Sequence, residues 1–196
     1  PVNRRQRQMC IRDRVIAGGH SLIPLMKLRM AEVPHLIDLQ SITELTGIEI
    51  GSTIRIGAMT TQADIIDNAS LASSAPILKE ASLQIADPQV RYMGTVGGNV
   101  ANGDPGNDMP GLMQCLDATF ILRGPNGERE VKARDFYHAA YMTEREDDEV
   151  MVAVTFDAPK GGYAYEKQKR KIGDYATAAA AVICLLYTSP SPRDDL

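Results

Sequence analysis

The sequence predicts an α+β fold, and three observations carry that expectation. Strand-like and helix-like segments follow one another without the regular strand–helix–strand rhythm of a doubly wound sheet. Strand patterns dominate beyond Asp117, where Gly124-Pro125-Asn126-Gly127 marks a hairpin turn between two apolar runs. Two Gly-Gly turns, Gly18-Gly19 and Gly97-Gly98, interrupt the first half. With 196 residues the chain can bury one large core or two small ones. A boundary near Asp117 is expected, giving subdomains at residues 15–117 and 118–184.

The elements follow in order. Val15 to Ala17 is an apolar run that stops at Gly18, a strand entering a turn. Ser21 is placed to cap a helix running to about Met30. Leu36–Leu39 and Ile48–Ile50 are short strands, and Thr53–Ile56 alternates polar with apolar as a half-buried strand does. Thr60 or Thr61 can cap a helix through Ile66. Pro76 can open another, because its missing N–H costs nothing at a helix start. Ile77, Leu78, Ala81 and Ile85 then share one face. Gly94 to Asn99 reads as a turn, and Pro110 opens a short helix to Leu116. Thr119–Leu122 and Arg129–Val131 flank the hairpin turn. Val150–Phe156 and Tyr163–Lys169 are strands. Ala176–Cys184 is small and apolar, suited to a buried strand or tight packing.

Composition narrows the function classes. Apolar residues make up 44% and charged residues 23%, the usage of an ordinary soluble domain. A net charge of −4 argues against a nucleic-acid binder. The longest uncharged apolar run, Ala176 to Leu186, is too short to span a bilayer, so no membrane span is expected. Cys10, Cys115 and Cys184 are scattered, which points to a reducing cytoplasm. Residues 1–14 carry five Arg and residues 185–196 turn abruptly Ser/Pro-rich. Both are expected to be disordered or spurious ends, resembling translated adapter sequence.

Three segments can carry chemistry. In Ala17-Gly18-Gly19-His20-Ser21-Leu22, two glycines between a strand and a helix let the backbone approach a ligand and leave N–H groups free. The helix that follows turns its positive end toward an anion. This suits a phosphate, although neither the Walker nor the dinucleotide spacing is present; a plain strand–helix turn explains the glycines equally simply. Thr95-Val96-Gly97-Gly98-Asn99 opens a long Gly/Asn/Asp-rich stretch reaching Asp108. Thr95 and Asn99 can donate to phosphate oxygens, and Asp108 can accept from a hydroxyl or amide; a run of surface turns is the alternative. Tyr163 to Tyr175 holds a basic island, Lys167, Lys169, Arg170 and Lys171, facing either an anionic cofactor, a partner or solvent. His35 and His138 lack metal-ligand spacing, and the acidic run from Glu144 to Glu149 reads as a solvated loop. No metal site and no catalytic side chain are expected.

The stretches AGGHSLIPLMK, IGAMTTQ, IADPQVRYMGTVGGNVANGDPGNDMP and YAYEKQKRKIGDYATAAAA, taken together, resemble the FAD-binding (medium) subunits of molybdenum hydroxylases. The likeness runs from Val15 to Ile183 and is strongest to the carbon monoxide dehydrogenase branch. It implies the vanillyl-alcohol-oxidase (PCMH-type) FAD domain of two subdomains, here truncated at both ends. It implies FAD held by Ala17, Gly18, Gly19, His20, Ser21 and Leu22, by Thr95, Gly97, Gly98 and Asn99, and by Asp108. Met151, or its neighbour Val150, matches an apolar contact of the family, Lys167 a flavin-side lysine and Tyr175 a tyrosine near the flavin. The implied role is electron transfer from the [2Fe–2S] clusters of a small subunit to an acceptor such as quinone. The implied assembly adds a large molybdenum-cofactor subunit, as a dimer of heterotrimers in the cytoplasm or at the inner face of its membrane. The same scaffold serves xanthine, nicotine and aldehyde dehydrogenases. A non-catalytic nucleotide-binding module and a stand-alone flavin reductase remain alternatives.

Overall fold

A computed structural model describes residues 14–184. The expectations for residues 1–13 and 185–196 lie outside the described residues. Arg14, expected in the N-terminal end, belongs to β1 (Arg14–Ile16), which pairs in parallel with β2 (Leu36–Asp38). Helix α1 (Leu22–Lys27) crosses between them.

The main sheet is antiparallel with five strands in the order β3-β4-β9-β5-β6. These are β3 (Ile48–Ile50), β4 (Thr53–Gly57), β5 (Thr119–Gly124), β6 (Gly127–Lys132) and β9 (Val150–Asp157). β3 and β4 precede Asp117, while β5, β6 and β9 follow it, so the boundary expected there does not separate two sheets. β9 is the central strand and is buried on both faces. Met151, Val154 and Phe156 join the main core. Val152 joins a smaller cluster with Leu39, Leu45 and Met59.

Helices α2 (Gln62–Asp67), α3 (Ala69–Ser74), α4 (Pro76–Gln84), α5 (Pro88–Met93), α6 (Val96–Asn102) and α7 (Asp108–Cys115) form the layer over the sheet. The predicted face of α4 is the one that packs: Ile77, Leu78 and Ala81 are wholly buried, with Ile85 just past the helix end. Ile54 and Ile56 of β4 meet this layer in the same core, as the TIRI alternation predicts. After β6 come a short helix α8 (Ala133–Phe136) and the small hairpin β7 (Tyr137–Ala139) and β8 (Met142–Thr143). Phe120 and Phe136 close this end of the core edge-to-face, centroids 4.8 Å apart.

The last element pair is an antiparallel ribbon, β10 (Gly162–Gln168) with β11 (Ala178–Cys184). It packs on α4 and α7. β11 was expected to be buried, yet most of it is exposed. Only one face of a two-stranded ribbon is covered here, so Ala181 and Ile183 turn to the core while Val182 faces out.

Three local expectations are corrected. Helix α1 ends at Lys27, and Ser21 makes no side-chain cap; its backbone is already helical, and the Ile23 N–H donates to the Gly19 carbonyl. Gly94–Asn99 is not a free turn, because Thr95 starts helix α6 there. Thr95 Oγ1 accepts the Gly98 N–H at 3.1 Å, the signature of an N-cap. Helix α7 begins at Asp108, two residues before Pro110, which still sits in the first turn where no N–H is needed.

Candidate functional site

A cavity of about 740 Å³ opens between the β1–α1 turn, the start of α6 and the start of β9. Its wall includes Ala17 through Leu22, then Thr95, Gly97, Gly98 and Asn99, then Asp108, Met151, Lys167 and Tyr175. The fold thus brings residues from Ala17 to Tyr175 to one cavity, while Lys169, Arg170 and Lys171 of the basic island do not line it.

The two Gly-Gly turns touch. A Cβ on Gly18 would lie 2.1 Å from the Met93 carbonyl oxygen, so the first turn packs directly on the backbone leading into Gly94. A Cβ on Gly98 would lie 3.5 Å from Ala17 Cβ. Gly97 lies against β4's end, where a Cβ would come within 2.4 Å of Ala58 Cβ. Gly19 has φ +74°, a conformation that only glycine adopts without strain.

The turns differ in what they offer a ligand. Among the described residues, the N–H groups of Gly18, Gly19, His20, Ser21 and Leu22 have no protein acceptor. Five consecutive amides at this strand–helix turn are therefore available to a ligand. The second turn has spent its amides. Val96 N–H donates to Thr60, Gly97 N–H to Ala58 at 2.8 Å, and Asn99 N–H to Thr95. Its offer is the side chain of Asn99, whose buried Oδ1 has no partner. Gln62, at the start of α2, also lines the cavity and leaves a buried Nε2 unpartnered, while its Oε1 accepts from Ser82 Oγ at 2.9 Å. The sequence reading passed over Gln62, although it closes the quoted IGAMTTQ stretch.

Asp108 and Lys167 meet each other. Lys167 Nζ donates to Asp108 Oδ2 at 2.8 Å, with the two side chains 1% and 5% exposed. Tyr165, two residues earlier on the same face of β10, donates its hydroxyl to Asp108 Oδ1. Burial first, and then the Asp108 carboxylate, hold the Tyr165 hydroxyl well above its ordinary pKa, so it remains a donor. Lys167 therefore is not part of a solvated basic face. Tyr165 was missed; a second aromatic two positions before the lysine was the available signal.

The outer rim is built around Asp104. It raises the pKa of Tyr141, chiefly by a hydrogen bond, and adds to the burial that raises Tyr175. Tyr175 is 63% exposed and packs on Gly106. At the other side, Arg129 donates to Glu149 at 2.6 Å and holds that carboxyl below its usual range. Among the described residues no group of three or more His, Cys, Asp or Glu is placed to hold a metal ion. No described helix is long and apolar enough to cross a membrane.

Fold and cavity define an α+β domain with one large cleft walled by two glycine turns. Residues 11–159 match the family described as the FAD binding domain in molybdopterin dehydrogenase, and the chain belongs to that family. The carbon monoxide dehydrogenase medium chain of Afipia carboxidovorans is 60% identical over 173 residues, covering 87% of this chain and 60% of that one. The glyceraldehyde dehydrogenase medium chain of Sulfolobus acidocaldarius is 37% identical, covering 86% of this chain and 61% of that one. The crystal structure of a Cu,Mo-CO dehydrogenase superposes with a TM-score of 0.84 at 60% identity, covering 86% of this chain and 60% of that one. The chain thus spans about three-fifths of the length of these relatives.

Proposed function

We propose that this chain holds FAD as the electron-transfer subunit of a molybdenum hydroxylase, in an assembly that oxidises carbon monoxide to carbon dioxide. The observation that carries the reading is the free-amide turn at Gly18–Leu22 facing the start of α6 across one cavity. The choice of carbon monoxide over an aldehyde rests on 60% identity to the one medium chain against 37% to the other.

When bound, FAD would supply the redox chemistry linking the [2Fe–2S] clusters of a small partner subunit to an external acceptor such as quinone. The chain's residues supply binding and orientation. The Gly18–Leu22 amides hold the pyrophosphate, and the dipole of α1 favours its charge. Gly97 and Gly98 let the start of α6 pack on Ala58 and Ala17, which sets the second turn beside the first. Thr95 fixes the start of α6, and Asn99 offers its unpaired carboxamide oxygen to a hydroxyl or amine. Asp108, clamped by Lys167 and Tyr165, orients the wall facing α7. Met151 supplies an apolar surface, and Tyr175 stands at the mouth. No side chain is assigned a catalytic role. The large molybdenum-cofactor subunit and the small iron–sulfur subunit complete a dimer of heterotrimers in the cytoplasm.

The test is reconstitution. The chain is mixed with FAD, desalted, and its bound flavin measured by absorbance against protein. One flavin per chain is expected, and Gly98→Leu, which crowds Thr95 and Ala17, should lose most of it. A wild-type chain that folds by circular dichroism but retains no flavin overturns the reading. Full retention in Gly98→Leu removes the second turn from the site.

A further inference from the structure

One polar group in the cavity wall stands apart from the glycine turns and from the Asp108–Lys167 pair. Gln62, the first residue of α2, lines the cavity, is 2% exposed, and has no partner for its Nε2. A buried amide donor without an acceptor is costly, so folds seldom keep one. This one is held firmly. Thr61 and Asp64 fix the first turn of α2 with their capping box, and the Gln62 N–H donates to the Gly94 carbonyl at 2.9 Å. The side chain is tethered from α4, where the wholly buried Ser82 donates its hydroxyl to Gln62 Oε1 at 2.9 Å. With the oxygen engaged, the two N–H donors of the carboxamide are left for whatever fills the cavity.

The acceptor that such a donor calls for is neutral. Negative charge on the ligand is already met by the amides from Gly18 to Leu22 and by the dipole of α1. The carboxamide is itself uncharged. The cavity residues nearest to Gln62 and Ser82 along the chain are Ala58, Met59, Ile85 and Ala86, all apolar. An apolar wall with one fixed N–H donor suits a flat heterocycle that carries a ring nitrogen or a carbonyl oxygen.

We propose that Gln62 is a further FAD-binding residue, donating from Nε2 to a ring nitrogen or carbonyl oxygen of one of the cofactor's two heterocycles. Ser82 is the positioning residue that holds the carboxamide in that orientation. The proposal rests on the FAD reading given above and adds a contact at a ring to those at the phosphates. The unpaired donor is then a cost that the ligand-free chain carries and the bound cofactor removes.

The test measures FAD affinity by fluorescence titration and the melting temperature of the ligand-free chain by circular dichroism. Gln62→Met keeps the side-chain length, removes the donor, and should weaken FAD about tenfold. Gln62→Met combined with Ser82→Ala strands no polar group. Its ligand-free form should melt at or above wild type while FAD binding stays weakened. Gln62→Glu keeps an acceptor without the donor and should weaken FAD at least as much. Ser82→Ala frees the carboxamide to turn and should weaken FAD by a smaller factor, about two- to threefold. The two ends of the cofactor are told apart by ADP binding and by the flavin midpoint potential. A contact to the flavin ring lowers the potential in Gln62→Met and leaves ADP binding alone. A contact to adenine weakens ADP in step with FAD and leaves the potential unchanged. Wild-type FAD affinity in both Gln62→Met and Gln62→Glu overturns the proposal while the cofactor reading stands. Tighter binding in Gln62→Glu also overturns it, because the group then accepts from the ligand. So does a combined variant that melts well below wild type with FAD affinity intact, because Gln62 is then a packing residue alone. A wild-type chain that folds and holds no FAD removes the cofactor reading and this contact together.

Discussion

At the scale of single residues, Asp108 carries more structural consequence than its place in a Gly/Asn-rich stretch suggests. Its two carboxylate oxygens are taken by Tyr165 and Lys167, and the Lys167 side chain is 1% exposed. Replacing Asp108 by Asn keeps the volume and removes the charge, leaving a buried ammonium without an anion. Such a loss costs about 3–5 kcal/mol. Urea denaturation should therefore show Asp108→Asn strongly destabilised, and Asp108→Asn with Lys167→Met should recover much of that loss. A single variant as stable as wild type would mean the pair contributes nothing. The sequence made Asp108 and Lys167 visible as charged residues in suggestive segments. It could not show that they pair, because 59 positions separate them and the docking of the β10–β11 ribbon on α4 and α7 brings them together. The cost of side chains at Gly18 and Gly97 is of the same kind, set by Met93 and Ala58 rather than by local pattern.

At the scale of elements, α2 shows how a short helix orders the site. Thr61 and Asp64 form a reciprocal capping box. The same segment bridges to the second Gly turn: the Gln62 N–H donates to Gly94 and the Val96 N–H to Thr60. Thr61→Ala should cost about 1 kcal/mol in global stability. It should also speed amide exchange at Gln62 and Val96 more than in β9, and equal exchange across the sheet would show the cap acts only globally. This start was legible, as were β3, β4, α4 and the hairpin, because caps, alternation and turn glycines are local signals. Helix α6 was not. Two glycines and two asparagines in seven residues give it poor intrinsic propensity, and it forms because Thr95 caps it and Gly97 fits against Ala58. Tertiary fit also decides β11, whose small apolar sequence suited either a buried strand or tight packing.

At the scale of the whole molecule, the cavity is a junction. Its wall draws on the β1–α1 turn, α6, α7, the start of β9, β10 and the loop that follows. The position Asp117 does not separate two sheets for the same reason: β9 returns to pair with β4 and carries β5 on its other side, so early and late sequence share one sheet. A ligand seated in such a junction contacts segments that separate on unfolding, so it binds the native state alone. Linkage then sets the gain, about 2.7 kcal/mol when free ligand exceeds its dissociation constant a hundredfold. For a chain of this size each kcal/mol shifts the midpoint by about 2–4 °C. FAD at that excess should raise the melting temperature by roughly 5–10 °C. FMN, which lacks the second phosphate and the adenosine, should at equal concentration raise it much less, because it reaches fewer of these segments. Equal shifts from FMN and FAD in a thermal melt would mean that one side of the junction holds the ligand and the other does not.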